Sequence, residues 1–324
     1  MSAVVGRMGR GRALLLGVAL VMAGGLYVTG VNPAVSQTAA LQAHHVADGP
    51  GLDPGAGVWD RARAIDMPLT AQGNTYPLGG GSVSVMDVRA LHDGETLFIR
   101  MQWDDPSVDD ATVRAEDFAD AVAVQFPADP SSSVPSVCMG QADQGVNIWQ
   151  WRADTDAGVP QVAGDLHPDA YVDQYPSTDD LSYPAREVGN VVSGADGPVV
   201  TDLVAEGFGT LTEADDQSVL GQGAWDDNQW AVVVARPFAS SDDNRPTFAA
   251  PGVVDTAFAV WNGAEGDRNG QKSVSSFVRL DISTEELPPA GFDQGNVLAV
   301  VVLLAGIVGV VAAWPVLVRR RNGP

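Results

Sequence analysis

The sequence predicts an all-β domain built as an antiparallel β-sandwich. Seven segments alternate apolar and polar residues with a period of two, and each is bounded by glycine, proline, aspartate or asparagine, the residues that favour turns. The middle of the chain shows no convincing periodicity of an amphipathic helix. Because so many short strands need two packed sheets to bury their apolar faces, a sandwich with long connections follows.

The seven predicted strands are rich in valine, isoleucine, phenylalanine and tryptophan, which suit a pleated and half-buried surface. In chain order they are GSVSVMDVRAL (81–91), ETLFIRMQW (95–103), DAVAVQF (120–126), VNIWQWRA (146–153), QWAVVVARPF (229–238), DTAFAVWNG (255–263) and VSSFVRLDI (274–282). Residues 153–224 are instead rich in glycine, aspartate and proline. We predict that they form long loops over the sandwich, and loops of this length are usually functional.

Two apolar segments frame this domain. Residues 13–30 follow an arginine-bearing stretch, as in a secretory signal or an uncleaved anchor. Residues 295–318 are uncharged and long enough to span a bilayer, and Arg319, Arg320 and Arg321 after them mark the cytoplasmic side. The predicted organisation is a signal peptide or N-terminal anchor (1–32), an extracytoplasmic β-sandwich (33–286), a linker (287–294), a transmembrane helix (295–318) and a cytoplasmic tail (319–324) at the cell membrane.

The charge composition limits the possible partners. The chain has 41 acidic and 18 basic residues and a formal net charge of −23, so it would repel nucleic acid and anionic lipid. Scattered acidic groups with almost no lysine indicate the solvated surface of a halophile's protein, and we predict a halophilic archaeon as its source. A hydrolase that uses these aspartates lacks a placed acid/base pair. The single cysteine, Cys138, excludes an internal disulfide and an iron–sulfur cluster held by this chain alone.

The region from 120 to 154 contains the first candidate site residues. A strand leads into a proline-bearing loop with Met139, and the next strand places Asn147, Trp149 and Trp151 on one face. One interpretation is ordinary packing, with a methionine at the edge of the core and two tryptophans inside the sandwich. The other is a thioether ligand beside aromatic rings.

The second candidate is Lys272, the only lysine of the chain beside 17 arginines. One interpretation is a surface lysine that evolution has not yet replaced by arginine. The other is chemical, because a buried lysine can lose its proton and offer a lone pair to a metal, whereas arginine stays charged. A site that needs a neutral amine would retain lysine in a chain that otherwise uses arginine.

Several motifs together resemble a known family. They are TLFIRMQWDD, VAVQFP followed by MGQADQGVNIWQW, WAVVVARPF, and GQKSVS followed by FVRLDI. The chain from 55 to 283 resembles the haem b (gamma) subunits of ethylbenzene dehydrogenase, dimethyl sulfide dehydrogenase, selenate reductase and chlorate reductase, molybdenum enzymes of the dimethyl sulfoxide reductase family. The resemblance implies a sandwich similar to carbohydrate-binding modules, with one haem b between the sheets.

The same resemblance implies the ligands and the role. Carried to this sequence, the axial ligands of the haem iron are Met139 and Lys272, and Trp149 and Trp151 are candidates to wall the haem. Arg152 or Arg268 would pair with the propionates. With both axial positions filled, the chain is expected to transfer electrons rather than to catalyse a reaction.

The expected partners are the iron–sulfur and molybdopterin subunits of the complex and a membrane cytochrome b. The C-terminal anchor departs from the familiar soluble subunits. Alternative iron ligands are Met101, His92 and His167, since histidine is the commonest haem ligand. The rival interpretation is a cell-surface glycan-binding module without haem that stacks sugars on Trp59, Trp103 or Trp149.

Overall fold

The computed structural model describes residues 40–72, 79–112, 114–130, 134–158, 198–240, 242 and 244–289. The strands of this part are β1 (Leu41–His45), β2 (Ile65–Pro68), β3 (Thr70–Ala71), β4 (Val85–His92), β5 (Thr96–Asp104), β6 (Ala121–Pro127), β7 (Val146–Arg152), β8 (Val200–Ala205), β9 (Thr212–Glu213), β10 (Leu220–Asp226), β11 (Gln229–Pro237), β12 (Gly252–Trp261), β13 (Ser273–Val274) and β14 (Val278–Glu286). Helical structure there is limited to a 3-10 turn (Trp59–Arg61) and a four-residue helix α1 (Ala153–Asp156).

The all-β prediction is confirmed, and all seven predicted segments contain strands: β4, β5, β6, β7, β11, β12 and β14. The apolar segments 13–30 and 295–318 and the tail 319–324 lie outside the described residues. Within the described ranges, no helix has the length and apolar character needed to cross a membrane.

Strand β12 belongs to both layers of the sandwich. Its residues 252–256 pair with β14 and its residues 257–261 pair with β6. The first sheet therefore has the order β10-β11-β5-β4-β1-β14-β12, and the second sheet has the order β12-β6-β7-β8-β9. Short strand β13 pairs with β12 and with β3. One strand thus connects the two layers and leads directly into the turn that bears Lys272.

The core between the sheets consists of large apolar side chains from both layers. Met101 and Trp103 of β5 and Trp230 of β11 face Val124 of β6 and Trp149 of β7. Rings from the two layers touch: the centroids of Trp151 and Trp230 lie 5.0 Å apart in an edge-to-face arrangement, which aromatic pairs favour. The space between the sheets is therefore filled by protein side chains.

Two details of the fold correct the sequence prediction. Strand β1 runs parallel to both of its neighbours, β4 and β14, so the sheet is not wholly antiparallel. Residues 153–224 also contain β8, β9 and most of β10, where loops were predicted. Glycine and aspartate are rare in strands, but in β10 Gly223 has a structural reason: a Cβ there would lie 2.2 Å from Cζ2 of Trp151.

Candidate functional site

A cavity of about 630 Å³ lies on the outer face of the second sheet, a size typical of small-molecule sites. The strands present their outward residues to it, including Ala121 of β6, Ile148 of β7, Leu203 of β8 and Trp261 of β12. This face of the sheet is rich in alanine: Ala121, Ala123, Ala205 and Ala259 pack in one cluster. Of these alanines, Ala121 lines the cavity, and its small side chain leaves room above the sheet.

Met139 reaches the cavity from the loop between β6 and β7. Its backbone has a φ of 66° and that of Gly140 has a φ of 78°, and left-handed backbone is uncommon for residues with a side chain. The turn is held by Gly140 N–H, which donates to Ser136 O at 3.0 Å, and by a bridge between Gln141 and Gln144. The half-buried methionine packs against the alanine-rich cluster, so a tight turn presents its thioether to the cavity.

Lys272 reaches the same cavity from the turn between β12 and β13. Its side chain is buried, with 6% of its surface exposed, and Nζ lies 4.5 Å from the centroid of the Trp261 ring. In the part of the chain that the structure describes, no carboxylate forms a salt bridge with it. Burial lowers the pKa of Lys272 to about 8, and the nearby Cys138 only partly opposes that shift. The amine is therefore much easier to deprotonate than an exposed lysine.

Two other segments of the chain fix the backbone of the turn that bears Lys272. Gln72 N–H donates to Lys272 O at 2.9 Å. The buried carboxylate of Asp267 accepts from Gly81 N–H at 3.2 Å and from Asn262 N–H at 3.2 Å. Gly81 needs to be glycine, since its φ is +82° and a Cβ would lie 2.5 Å from Ala71 Cα. We call Gly81, Asp267 and Gln72 the lysine clasp.

The structure brings only some of the predicted residues together. Met139, Lys272, Arg152 and Arg268 line the cavity. Trp149 and Trp151 lie on the opposite face of β7 in the core between the sheets, where Trp149 Nε1 donates to Asn147 Oδ1 at 2.9 Å. The family resemblance implied a haem between the sheets, but aromatic side chains fill that space, and the cavity lies outside the second sheet.

The alternative ligands lie away from the cavity. Met101 is buried in the core between the sheets. His92 lies at the end of β4, where its Nε2 is 2.6 Å from Ser283 O, and burial lowers its pKa. His167 lies outside the described residues.

The tryptophans named for glycan stacking are also inaccessible. Trp59, Trp103 and Trp149 expose at most 2% of their surface. A sugar could not stack on them without opening the core, so the structure gives the glycan-binding alternative no support from these residues.

Sequence reasoning missed Trp261 and the lysine clasp. A signal for Trp261 existed, because DTAFAVWNG alternates so that Ala257, Ala259 and Trp261 share one face. Two small side chains followed by a large aromatic one on the same face of a strand indicate open space above the sheet, next to the aromatic ring. The lysine clasp joins residues that are distant in sequence, so no local sequence pattern indicates it.

The chain has recognisable relatives. Residues 56–273 match the family model described as ethylbenzene dehydrogenase. A protein of Haloferax mediterranei, described as a candidate heme subunit (ORF7) of respiratory nitrate reductase, is 28% identical over 271 residues, which cover 83% of this chain and 81% of that protein. The gamma subunit of dimethylsulfide dehydrogenase from Rhodovulum sulfidophilum is 30% identical over 211 residues, 63% of each chain. These findings confirm the resemblance seen in the sequence.

Among solved structures, a family 9 carbohydrate-binding module of Caldicellulosiruptor kristjanssonii is similar, with a TM-score of 0.40 and 7% identity. The match covers 78% of this chain and 100% of that one.

Proposed function

This chain belongs to the ethylbenzene dehydrogenase family, and from that premise we propose that it is a non-catalytic electron-transfer subunit that holds one haem b between Met139 and Lys272. One observation carries the proposal: two residues from distant parts of the chain, each able to ligate iron, line the same cavity. The relatives described as a heme subunit and as a gamma subunit support the same role.

The residues present suit a haem in their chemistry. A thioether and a neutral amine are known types of iron donor, and methionine sulfur is a soft ligand that raises the potential of a haem. The buried amine has no carboxylate to hold its proton within the described part of the chain, and its pKa is already lowered to about 8. The cavity offers an apolar surface for a flat macrocycle, formed by Ala121, Ile148, Leu203 and the Trp261 ring.

When bound, the haem iron supplies reversible one-electron oxidation and reduction. The chain's own residues then have three tasks. Met139 and Lys272 would hold the iron from the protein, and with both bound the iron would have no place for oxygen or substrate. Trp261 and the lysine clasp hold the amine in place. Trp149 and Trp151 support the sheet from its inner side, behind the cavity.

The proposed setting is a respiratory complex outside the cytoplasm. Electrons would pass between a membrane cytochrome b and an iron–sulfur subunit whose molybdopterin partner carries the catalytic centre, such as a nitrate reductase or a related reductase or dehydrogenase. The apolar residues 295–318 would anchor the chain, with the tail 319–324 in the cytoplasm. The acidic, lysine-poor composition and a relative from Haloferax mediterranei support a halophilic source.

An absorption spectrum of the purified full chain with haem supplied tests this function. We expect the sharp reduced bands of a low-spin b-type haem after dithionite is added. Lys272→Arg and Met139→Ala should each lose those bands, whereas Met101→Leu, which changes a methionine of the core between the sheets, should keep them. A folded chain that takes up no haem, or that keeps a low-spin spectrum in both ligand variants, would refute the proposal.

A further inference from the structure

The cavity gathers positive charge in a chain that is strongly negative elsewhere. The chain has a formal net charge of −23, so an anionic molecule approaching it meets general repulsion. Besides Lys272, whose amine is neutral when it binds iron, two arginines line the cavity, Arg152 and Arg268, and the described lining has one acidic residue, Asp267. That aspartate is buried and directs its carboxylate to the N–H groups of Gly81 and Asn262. The described lining therefore suits a ligand that carries carboxylates.

The two arginines differ in how far their charge is already compensated. Arg152 Nη2 lies 2.5 Å from Asp154 Oδ2, a carboxylate buried beside it. Arg268 has no salt bridge with a carboxylate in the described part of the chain; its Nη1 donates to Gly266 O at 2.7 Å. Of the two, Arg268 has the charge that remains available to a ligand.

Arg268 is also held in position. Its guanidinium carbon lies 4.8 Å from the centroid of the Phe118 ring, a cation–π contact, and Phe118 lines the same cavity. The backbone of Arg268 is tied to Gln271 by a pair of hydrogen bonds of 3.0 and 2.8 Å. A guanidinium placed in this way can bind a carboxylate through two parallel hydrogen bonds. The exposed side chain would keep that carboxylate at the mouth of the cavity, in contact with water.

We infer that Arg268 is the residue that receives a haem propionate, and that Arg152 contributes much less because Asp154 already neutralises it. The inference rests on the proposed haem site, since it names the residue that recognises the carboxylates of that cofactor. Arg268 is a positioning residue: it holds the edge of the macrocycle, while Met139 and Lys272 hold the iron.

The test compares haem b with haem dimethyl ester, whose propionates carry no charge. The full chain is loaded with each, and the rate at which the haem passes to excess apomyoglobin is followed by absorption. Because an exposed ion pair contributes about 1 kcal/mol, which is about fivefold in rate or affinity, we expect Arg268→Gln to lose haem b about fivefold faster. The same variant should lose the ester at the wild-type rate.

Three further variants serve as controls. Arg152→Gln should change the loss of haem b by less than twofold, and Arg268→Lys should fall between wild type and Arg268→Gln. Arg279→Gln removes an exposed arginine whose pair is Asp281 on β14 and should change nothing. If Arg268→Gln leaves the loss of haem b unchanged, or speeds the loss of haem b and ester equally, the inference is overturned while the haem site stands. If the wild type binds neither compound, the proposed function itself fails.

Discussion

The amine nitrogen of Lys272 lies 4.5 Å from the centre of the Trp261 ring, at the wall of the cavity that Met139 also lines. The face of the Trp261 ring attracts a cation only weakly. Burial destabilises the ammonium form of Lys272 more than this contact stabilises it, and the pKa of Lys272 is lowered to about 8. A lysine placed in this way can lose its proton to water and donate the freed lone pair to a metal.

The first prediction concerns the pH dependence of haem binding. A proton and the iron compete for the lone pair of Lys272, and below its pKa of about 8 the amine of the apo chain is mostly protonated, so binding must displace that proton. Haem affinity of the apo chain should therefore fall about tenfold for each pH unit below 8 and level off above it. A Soret titration from pH 6 to pH 9 measures this. Lys272→Met should show a flat profile, and a flat profile in the wild type would contradict the prediction.

The second prediction concerns the lysine clasp. Gly81→Ala places a Cβ 2.5 Å from Ala71 Cα at a φ of +82° and should destabilise the chain by about 2–4 kcal/mol. It should also displace Lys272 and reduce the low-spin fraction of the haem spectrum. The matched control is Gly51→Ala, which has a φ of +71° and open space around its Cβ. Its cost should be about 1–2 kcal/mol, with an unchanged spectrum. Equal spectra in both variants would count against the clasp.

The third prediction concerns the contact between β10 and the core. Gly223→Ala would bring a Cβ to 2.2 Å from the Trp151 ring, and Gly223 N–H donates to Asp156 Oδ2, the acceptor that also binds Trp151 Nε1 at 2.9 Å. Overpacking should cost about 1–3 kcal/mol in urea unfolding. Gly57→Ala, where nothing lies within 4 Å, should leave the midpoint almost unchanged. A Gly223→Ala variant as stable as the wild type would show that β10 can move away.

The fourth prediction concerns a buried ion pair at β8. Arg245 Nη2 lies 2.6 Å from Asp202 Oδ2, and both side chains are almost fully buried. Asp202→Leu leaves the arginine charge buried, with the half-exposed Asp216 as its remaining carboxylate in the described part of the chain and Ser218 Oγ as a neutral acceptor, so unfolding free energy should fall by about 3–5 kcal/mol. The double variant Asp202→Leu/Arg245→Met should regain most of this loss. Additive losses in the double variant would mean that the two residues act independently.

The strands that sequence reasoning found are those in which side-chain type and alternation agree. TLFIRMQW and AVVVARP combine branched and aromatic residues with a period of two, so the sequence predicted strands β5 and β11 correctly. Strand β10, LGQGAWD, has glycine at two inward positions, because Val200 occupies the space beside Gly221 and Trp151 the space beside Gly223. Glycine is typical of loops rather than strands, so the sequence did not predict this strand. The parallel pairing of β1 depends on residues far along the chain, so no local pattern revealed it.

The site residues likewise divide into those that the sequence could predict and those that it could not. Lys272 stood out by chemistry alone, since it is the single lysine beside 17 arginines and a neutral amine is a ligand that arginine cannot provide. Alternation in β7 correctly grouped Trp149 with Trp151, but it did not reveal which face of the strand looks outward. Both faces of β7 are largely buried, and period-two patterns identify an outer face only where one side is polar.

The position of β1 between β4 and β14 has a consequence for the order of folding. Leu41 pairs with Leu280, and Ala43 with Ala90, so the first and last described strands form the seam in the middle of the first sheet. A growing chain that stops before residue 278 already contains every described cavity residue but cannot close this seam. Such long sequence separations slow folding. The first sheet is therefore complete only when the last described strand joins it, after every described cavity residue has been synthesised.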